Sequence, residues 1–250
     1  MESKQYFRRR KARLPSFWRR LQGAPDLEGR DALDFGAGHC ELAIDLAERG
    51  ARSVLAVDLN RESLERGRSY VSELPPDVAG RIEIRCVDVR DLPETATFDA
   101  IASRDVFEHV LDVEQLFPRL IDRLRPGGRL YTGFGPLYRS PFGGHKSMRM
   151  PLPWLHLLVP EALLVRWINL FRPADRKVAS IAEFGLNRRR LADFERIVDR
   201  EPRVRVIHWQ VNHGDRLVSR LFAALCRVRP LREYFAHDIY CILERVDAPA

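Results

Sequence analysis

Lysine is nearly missing from this chain. Lys4, Lys11, Lys146 and Lys177 are the only lysines in 250 residues, so arginine supplies almost all of the 42 basic side chains. The resulting net charge of +7 would suit nucleic acid, an anionic membrane or acidic substrates. Arginine enrichment also follows from genome composition, and that reading is preferred; no DNA partner is expected. Cysteine is scarce too. Its four copies lie far apart, which argues against a zinc quartet or a disulfide framework, and Cys86 and Cys241 fall in apolar strand patterns as reduced core residues. No apolar run reaches the ~18 residues needed to span a bilayer, and the N-terminal MESKQYFRRRKARLPSFWRR has no apolar h-region, so a soluble cytoplasmic protein is expected. Internal repeats, low-complexity linkers, paired carboxylates, metal-ligand spacings and nucleophile motifs are all lacking. What remains suits one domain with an ample core.

The stretch from Asp31 to Arg66 organises the chain. Ala32-Leu33-Asp34-Phe35 reads as a buried strand running into Gly36-Ala37-Gly38, where glycine allows a tight turn and close backbone approach to a ligand. Helical spacing follows from Cys40 to Glu48, with Leu42, Ala43, Leu46 and Ala47 on one stripe and Gly50 where the helix would be capped. A second apolar run, Val54 to Val57, ends in Asp58, and Asn60 is a fitting cap for the next helix. This is a βαβ unit. Its first helix offers free backbone N–H groups to a ligand, and Asp58 offers a carboxylate to a ribose diol about 20 residues past the loop.

A dinucleotide site wants a third glycine where this chain has Glu41, whose carboxylate would repel a diphosphate. A sulfonium and an ammonium beside adenosine would instead tolerate Asp34 and Glu41. The segment resembles the first motif of the class I S-adenosylmethionine-dependent methyltransferases, D-x-G-x-G-x-G, with Cys40 in place of the last glycine.

Further motifs extend the resemblance over about Asp31 to Arg245. Ile82 to Val87 alternates as a strand ending at Asp88-Val89, and the resemblance implies that Asp88 meets the adenine amino group while the Val89 N–H meets a ring nitrogen. The alternative is that Asp88 caps the loop before Leu92-Pro93. Phe98-Asp99-Ala100-Ile101 and the following Glu108-His109-Val110 are similar to the family's fourth-strand signature; Glu108 and His109 either touch ligand or orient the loop. Leu124-Arg125-Pro126-Gly127-Gly128 matches the turn into a fifth strand, and Val204–Trp209 and Tyr240–Leu243 would be the sixth and seventh, the last antiparallel. The fold implied is α/β, a doubly wound seven-stranded Rossmann-like sheet. S-adenosyl-L-methionine would be held by Asp34, Gly36, Gly38, Asp58, Leu59, Asp88, Val89 and Arg104.

Two segments flank this core. Residues 1–30 place Phe7, Leu14, Phe17, Trp18 and Leu21 near one helical face with Pro15 interrupting, which suits a lid over the cofactor or a membrane-surface helix. The lid is preferred, and peripheral membrane contact is not favoured. Residues 136–180 break the sheet pattern and read as an acceptor-side insertion within the 31–250 domain; its S-P-F-G-G-H and P-W-L-H-L-L-V-P-E runs resemble a bacterial small-molecule subgroup of the family. Leu163–Phe171 and Leu217–Val228 read as amphipathic helices, and Asn187 as the cap of another.

The expectation is methyl transfer to an oxygen, less readily a nitrogen, of a small biosynthetic molecule. His145, delivered by Gly143-Gly144, is the first candidate for general base and His109 its rival, while His156 reads as a packing residue. The alternatives are an RNA or protein methyltransferase, prompted by the basic surface, and a non-catalytic binding subunit, prompted by Cys40. Neither the acceptor nor the oligomeric state follows from the sequence.

Overall fold

The computed structural model describes residues 2–145, 148–212 and 217–247. Its strands are β1 (Asp31–Phe35), β2 (Ser53–Asp58), β3 (Ile82–Cys86), β4 (Phe98–Arg104), β5 (Leu124–Phe134), β6 (Val204–Val211) and β7 (Ile239–Arg245). They form one sheet in the order β3-β2-β1-β4-β5-β7-β6, in which β7 is antiparallel to both its neighbours. The chain order reverses between β1 and β4. At such a switch point the loops diverge and leave a crevice at the strands' C-terminal ends.

Alternation along the strands sorts the two faces by size. Leu33, Phe35, Leu55, Val57, Ile101 and Leu130 point to one face, where they pack with α6 (Val113–Asp122) and α9 (Leu191–Asp199). Ala32, Ala56, Ala100 and Ala102 point to the other, beneath α3 (Glu41–Glu48) and α4 (Arg61–Val71). Small side chains let α3 come close to β1, so its N-terminus is carried to the crevice. The N-terminal helices α1 (Glu2–Lys11) and α2 (Leu14–Arg20) join this second face, and Leu14, Phe17, Trp18 and Leu21 are buried in it. The Trp18 indole also donates to Asp45 at 2.6 Å. The apolar stripe of α2 therefore belongs to the core.

Several expectations change in detail. Cys86 is exposed at the C-terminal end of the edge strand β3, whereas Cys241 is buried as expected. The Pro126-Gly127-Gly128 turn lies inside β5, where pairing with β4 skips from Leu124 to Arg129. Asn187 caps no helix. Its amide donates to the carbonyls of Phe107 and Val110 at 2.6 and 2.9 Å, tying the segment to the loop after β4. The first turn of α9 is satisfied instead by Glu233, 42 and 41 residues away, which accepts from Leu191 and Ala192.

Residues after β5 form a small core of their own, in which Tyr138, Met148, Leu164, Ile168, Ile181 and Leu186 are buried around α8 (Glu161–Leu170). The remaining helices are α5 (Pro76–Ala79), α7 (Leu155–Leu158), α10 (Leu217–Leu225) and α11 (Arg232–Phe235). Among the described residues, no helix is long and apolar enough to cross a membrane.

Candidate active site

The loop after β1 is built for close approach. Gly36 has φ +76°, and a Cβ there would sit 2.2 Å from Val106 Cγ2, so the glycine lets the loop after β4 close against it. At Gly38, with φ +52°, a Cβ would meet nothing within 4 Å. That open space is the crevice. Cys40 takes the left-handed conformation, φ 63°, that its glycine counterpart in the motif would adopt more easily. Its thiol packs where a side chain on Gly67 would be, since a Cβ at Gly67 would lie 2.5 Å from Cys40 Sγ. Gly67 thus makes room for the cysteine, and the loop keeps its shape.

Asp58 fixes this loop from the neighbouring strand. One carboxylate oxygen accepts the Gly38 N–H at 2.8 Å and the other accepts the Asn60 N–H at 2.7 Å. Asn60 in turn caps α4 by accepting the Ser63 N–H.

A cavity of about 640 Å³ opens beside the loop. Gly36, Gly38, Asp58, Leu59, Asp88, Val89 and Arg104 all line it, as does His109. Asp34 does not. It is buried beneath the loop, where Oδ2 accepts the Ala43 N–H at 2.9 Å. Burial, reinforced by the nearby Glu41, pushes its carboxyl up to about 8. It holds the start of α3 and does not line the cavity. Asp88 lines the cavity and also caps the short 3₁₀ turn Val89–Asp91, accepting the Arg90 N–H at 2.9 Å. The Arg90 guanidinium holds the Asp88 carboxyl below its usual range.

Glu41 acts differently from the repulsive carboxylate that its position suggests. It is buried and paired with Arg10 of α1, and Arg104 NH2 stands 3.4 Å from the same oxygen. Two guanidiniums neutralise it. Burial alone would lower the Arg10 pKa, but Glu41 and Asp105 together raise it, whereas burial and Arg10 lower that of Arg104. The arginine-carboxylate group joins α1, α3 and the end of β4, and Asp105, with φ 58°, completes it at 3.4 Å from Arg10. Tyr6, Arg10, His39 and Asp105 line the cavity without having been singled out by motif. Nothing local in the sequence marks Arg10, because its partner Glu41 is 31 residues away.

The comparisons with known proteins agree with this geometry. Residues 32–128 match a family model described as a methyltransferase domain. Over that stretch, well under half of its length, the chain is similar to this family. Its sequence is 29% identical over 150 residues to a ubiquinone biosynthesis O-methyltransferase of Neisseria meningitidis, covering 59% of this chain and 57% of that protein. It is 34% identical over 149 residues to the protein of the same name from Alkalilimnicola ehrlichii, covering 60% and 58%. The chain therefore spans little more than half the length of these curated relatives. Among solved structures, an S-adenosylmethionine-dependent methyltransferase from Mesorhizobium loti superposes with a TM-score of 0.60 at 20% identity, covering 94% of this chain and 98% of that one. A geranyl diphosphate methyltransferase bound to S-adenosylmethionine gives 0.59 at 16% identity, with 94% and 85% covered. At such identities the likeness is one of fold.

In this fold the two candidate bases are neighbours. His109 and His145 have ring centroids 4.9 Å apart, and His109 Nδ1 lies 2.5 Å from the Gly185 carbonyl. A carbonyl only accepts, so Nδ1 carries the proton and Nε2 is left with a free lone pair. His145 lines neither this cavity nor the one beside it. Its Nε2 is buried without a hydrogen-bond partner among the described residues, and burial, with His109 close by, brings its pKa down to about 4. Of the two candidates, His109 lines the cavity and His145 does not. Glu108 lies with them, buried, one oxygen accepting the Gly135 N–H at 3.3 Å, and burial raises its carboxyl well above the usual range. His156 packs against Tyr138 and bonds its carbonyl at 2.6 Å, as expected for a structural residue.

Proposed function

We propose that this protein binds S-adenosylmethionine in the 640 Å³ cavity and moves its methyl group onto a hydroxyl oxygen of a small biosynthetic molecule. The observation that carries the reading is the pairing of the Gly36–Gly38 loop with Asp58 on one crevice at the sheet's switch point. A volume of this size suits a nucleoside-sized ligand. The residues fit the cofactor: open space faces Gly38, Asp58 and Asp88 present carboxylate oxygens, and the backbone at Val89 is buried beside them. S-adenosylmethionine supplies an electrophilic methyl on a positively charged sulfur that leaves as a neutral thioether.

The chain's own groups would do the rest. Asp58 and the glycine loop hold the ribose end, and Asp88 with Val89 the base. Tyr6 and Arg10 of α1 cover the cavity and exclude water. His109 Nε2 accepts the proton of the acceptor hydroxyl, and His145, neutral at physiological pH, keeps charge from accumulating next to it. Most of the acceleration comes from positioning, because the methyl donor is already reactive.

Calorimetry with S-adenosylhomocysteine tests the binding half of this reading, and transfer of labelled methyl from S-adenosylmethionine to a panel of phenols and catechols tests the chemical half. Lack of cofactor binding by the wild-type protein would overturn both.

A further inference from the structure

A second cavity of about 670 Å³ adjoins the first, and Arg10, Arg104 and Asp105 border both. Its position beyond β4 and β5 puts it on the side of that shared border away from the glycine loop. We propose that this cavity holds the acceptor by an anionic group, a carboxylate or a phosphate ester, gripped by Arg13 and Arg20; the inference rests on the methyl-transfer reading of the first cavity.

The arginines are placed by the helix that carries them. Burial of Leu14, Trp18 and Leu21 fixes the rotation of α2, so Arg13, Ser16, Phe17 and Arg20, at spacings of three, four and seven, form a stripe along the cavity. Arg20 is held in place: its guanidinium donates to the Tyr240 hydroxyl at 2.6 Å, stacks 5.0 Å above that ring and lies 3.9 Å from Asp238. Arg13 is exposed and has no ion-pair partner among the described residues.

Charge in the cavity is one-sided. Five arginines line it against two aspartates, Asp105 and Asp238. At the shared border Arg10 and Arg104 are balanced by Glu41 and Asp105, and burial lowers the His237 pKa. The Arg20–Asp238 pair leaves Arg13, exposed at the α2 end, as a guanidinium with no ion-pair partner among the described residues, across the cavity from where the methyl enters. A guanidinium fork in a partly enclosed site matches carboxylate or phosphate oxygens in pairs, and such charge-assisted bonds are about twice as strong as neutral ones. An acceptor with its hydroxyl at the border and its anion at α2 uses both ends. The cavity's enclosure between α2 and the strand ends suits a small molecule rather than a polymer.

Titration of the S-adenosylhomocysteine-loaded protein with phenyl phosphate, benzoate and phenol tests this. At least one anion should bind about tenfold more tightly than phenol, and the tighter of the two identifies the group. Arg13→Gln combined with Arg20→Gln should bring that anion to the level of phenol while leaving S-adenosylhomocysteine affinity unchanged. Equal binding of the three probes, or an anion preference that survives the double variant, overturns the proposal. Should the double variant lose S-adenosylhomocysteine, Arg13→Gln alone decides, with a loss of roughly tenfold expected in anion affinity and an unchanged affinity refuting the site. If the wild-type protein binds no S-adenosylhomocysteine, the methyl-transfer reading fails, and the same three titrations on the ligand-free protein judge the anion site separately.

Discussion

His109 and His145 face each other with ring centroids 4.9 Å apart, yet only His109 reaches the cavity. The insertion after β5 thus meets the site where His145 packs against His109. In the proposed mechanism His109 contacts the substrate and His145 sets its surroundings.

Their roles can be told apart by rate. His109→Gln should lower methyl transfer to the best phenol of the panel by roughly 10²–10⁴-fold with S-adenosylhomocysteine affinity intact. His145→Gln should cost much less and displace the pH–rate profile instead. Full activity in His109→Gln would remove the base assignment.

Asp58 answers to a graded test. Its two oxygens already hold the Gly38 and Asn60 N–H groups, so Asp58→Ala should lose loop order together with any bond to the ribose. The expected loss is about 1.5–3 kcal/mol, roughly one to two decades in the dissociation constant of S-adenosylhomocysteine. Asp58→Asn, which keeps one acceptor, should fall between. Calorimetry that finds both variants equal to wild type contradicts the assignment.

Asp34 links stability to pH. Its carboxyl rises from an ordinary 3.8 to about 8 in the folded protein, so between these values the native state binds more protons than the unfolded one. Its contribution is fully present below pH 3.8 and is lost as pH climbs toward about 8. Asp34→Asn keeps an acceptor for the Ala43 N–H without the ionisation, so melting temperatures recorded across that window should fall less steeply with rising pH than those of wild type. An unchanged slope would show that Asp34 ionises normally.

The two N-terminal helices should respond oppositely to truncation of an aromatic. Trp18 is 2% exposed, and Trp18→Ala should destabilise the fold by about 3–5 kcal/mol in chemical unfolding. Tyr6 is 43% exposed, so Tyr6→Ala should alter stability by no more than ~0.5 kcal/mol while weakening S-adenosylhomocysteine binding. A vesicle-pelleting assay that follows Trp18 rather than folding would return the membrane-surface reading of α2.

Local chemistry determined much of this protein in advance. The glycine loop, Asp58 and the Asp88-Val89 strand end were legible because each depends on neighbours within a few residues, where backbone geometry and side-chain period act. Folding decided what depends on distant partners. Asp34 and Glu41 read as two negative charges beside a ligand, but burial protonates the first and Arg10 and Arg104 neutralise the second. Cys40 looked like a departure from the motif until Gly67, on the next helix, proved to leave the space its thiol fills. The glycines before His145 mark it as a candidate base, but only the packing of the insertion against the loop after β4 decides that His109, and not His145, lines the cavity. The charge on a group and the direction in which it faces are properties of its surroundings, and those surroundings are assembled from residues far apart in the chain.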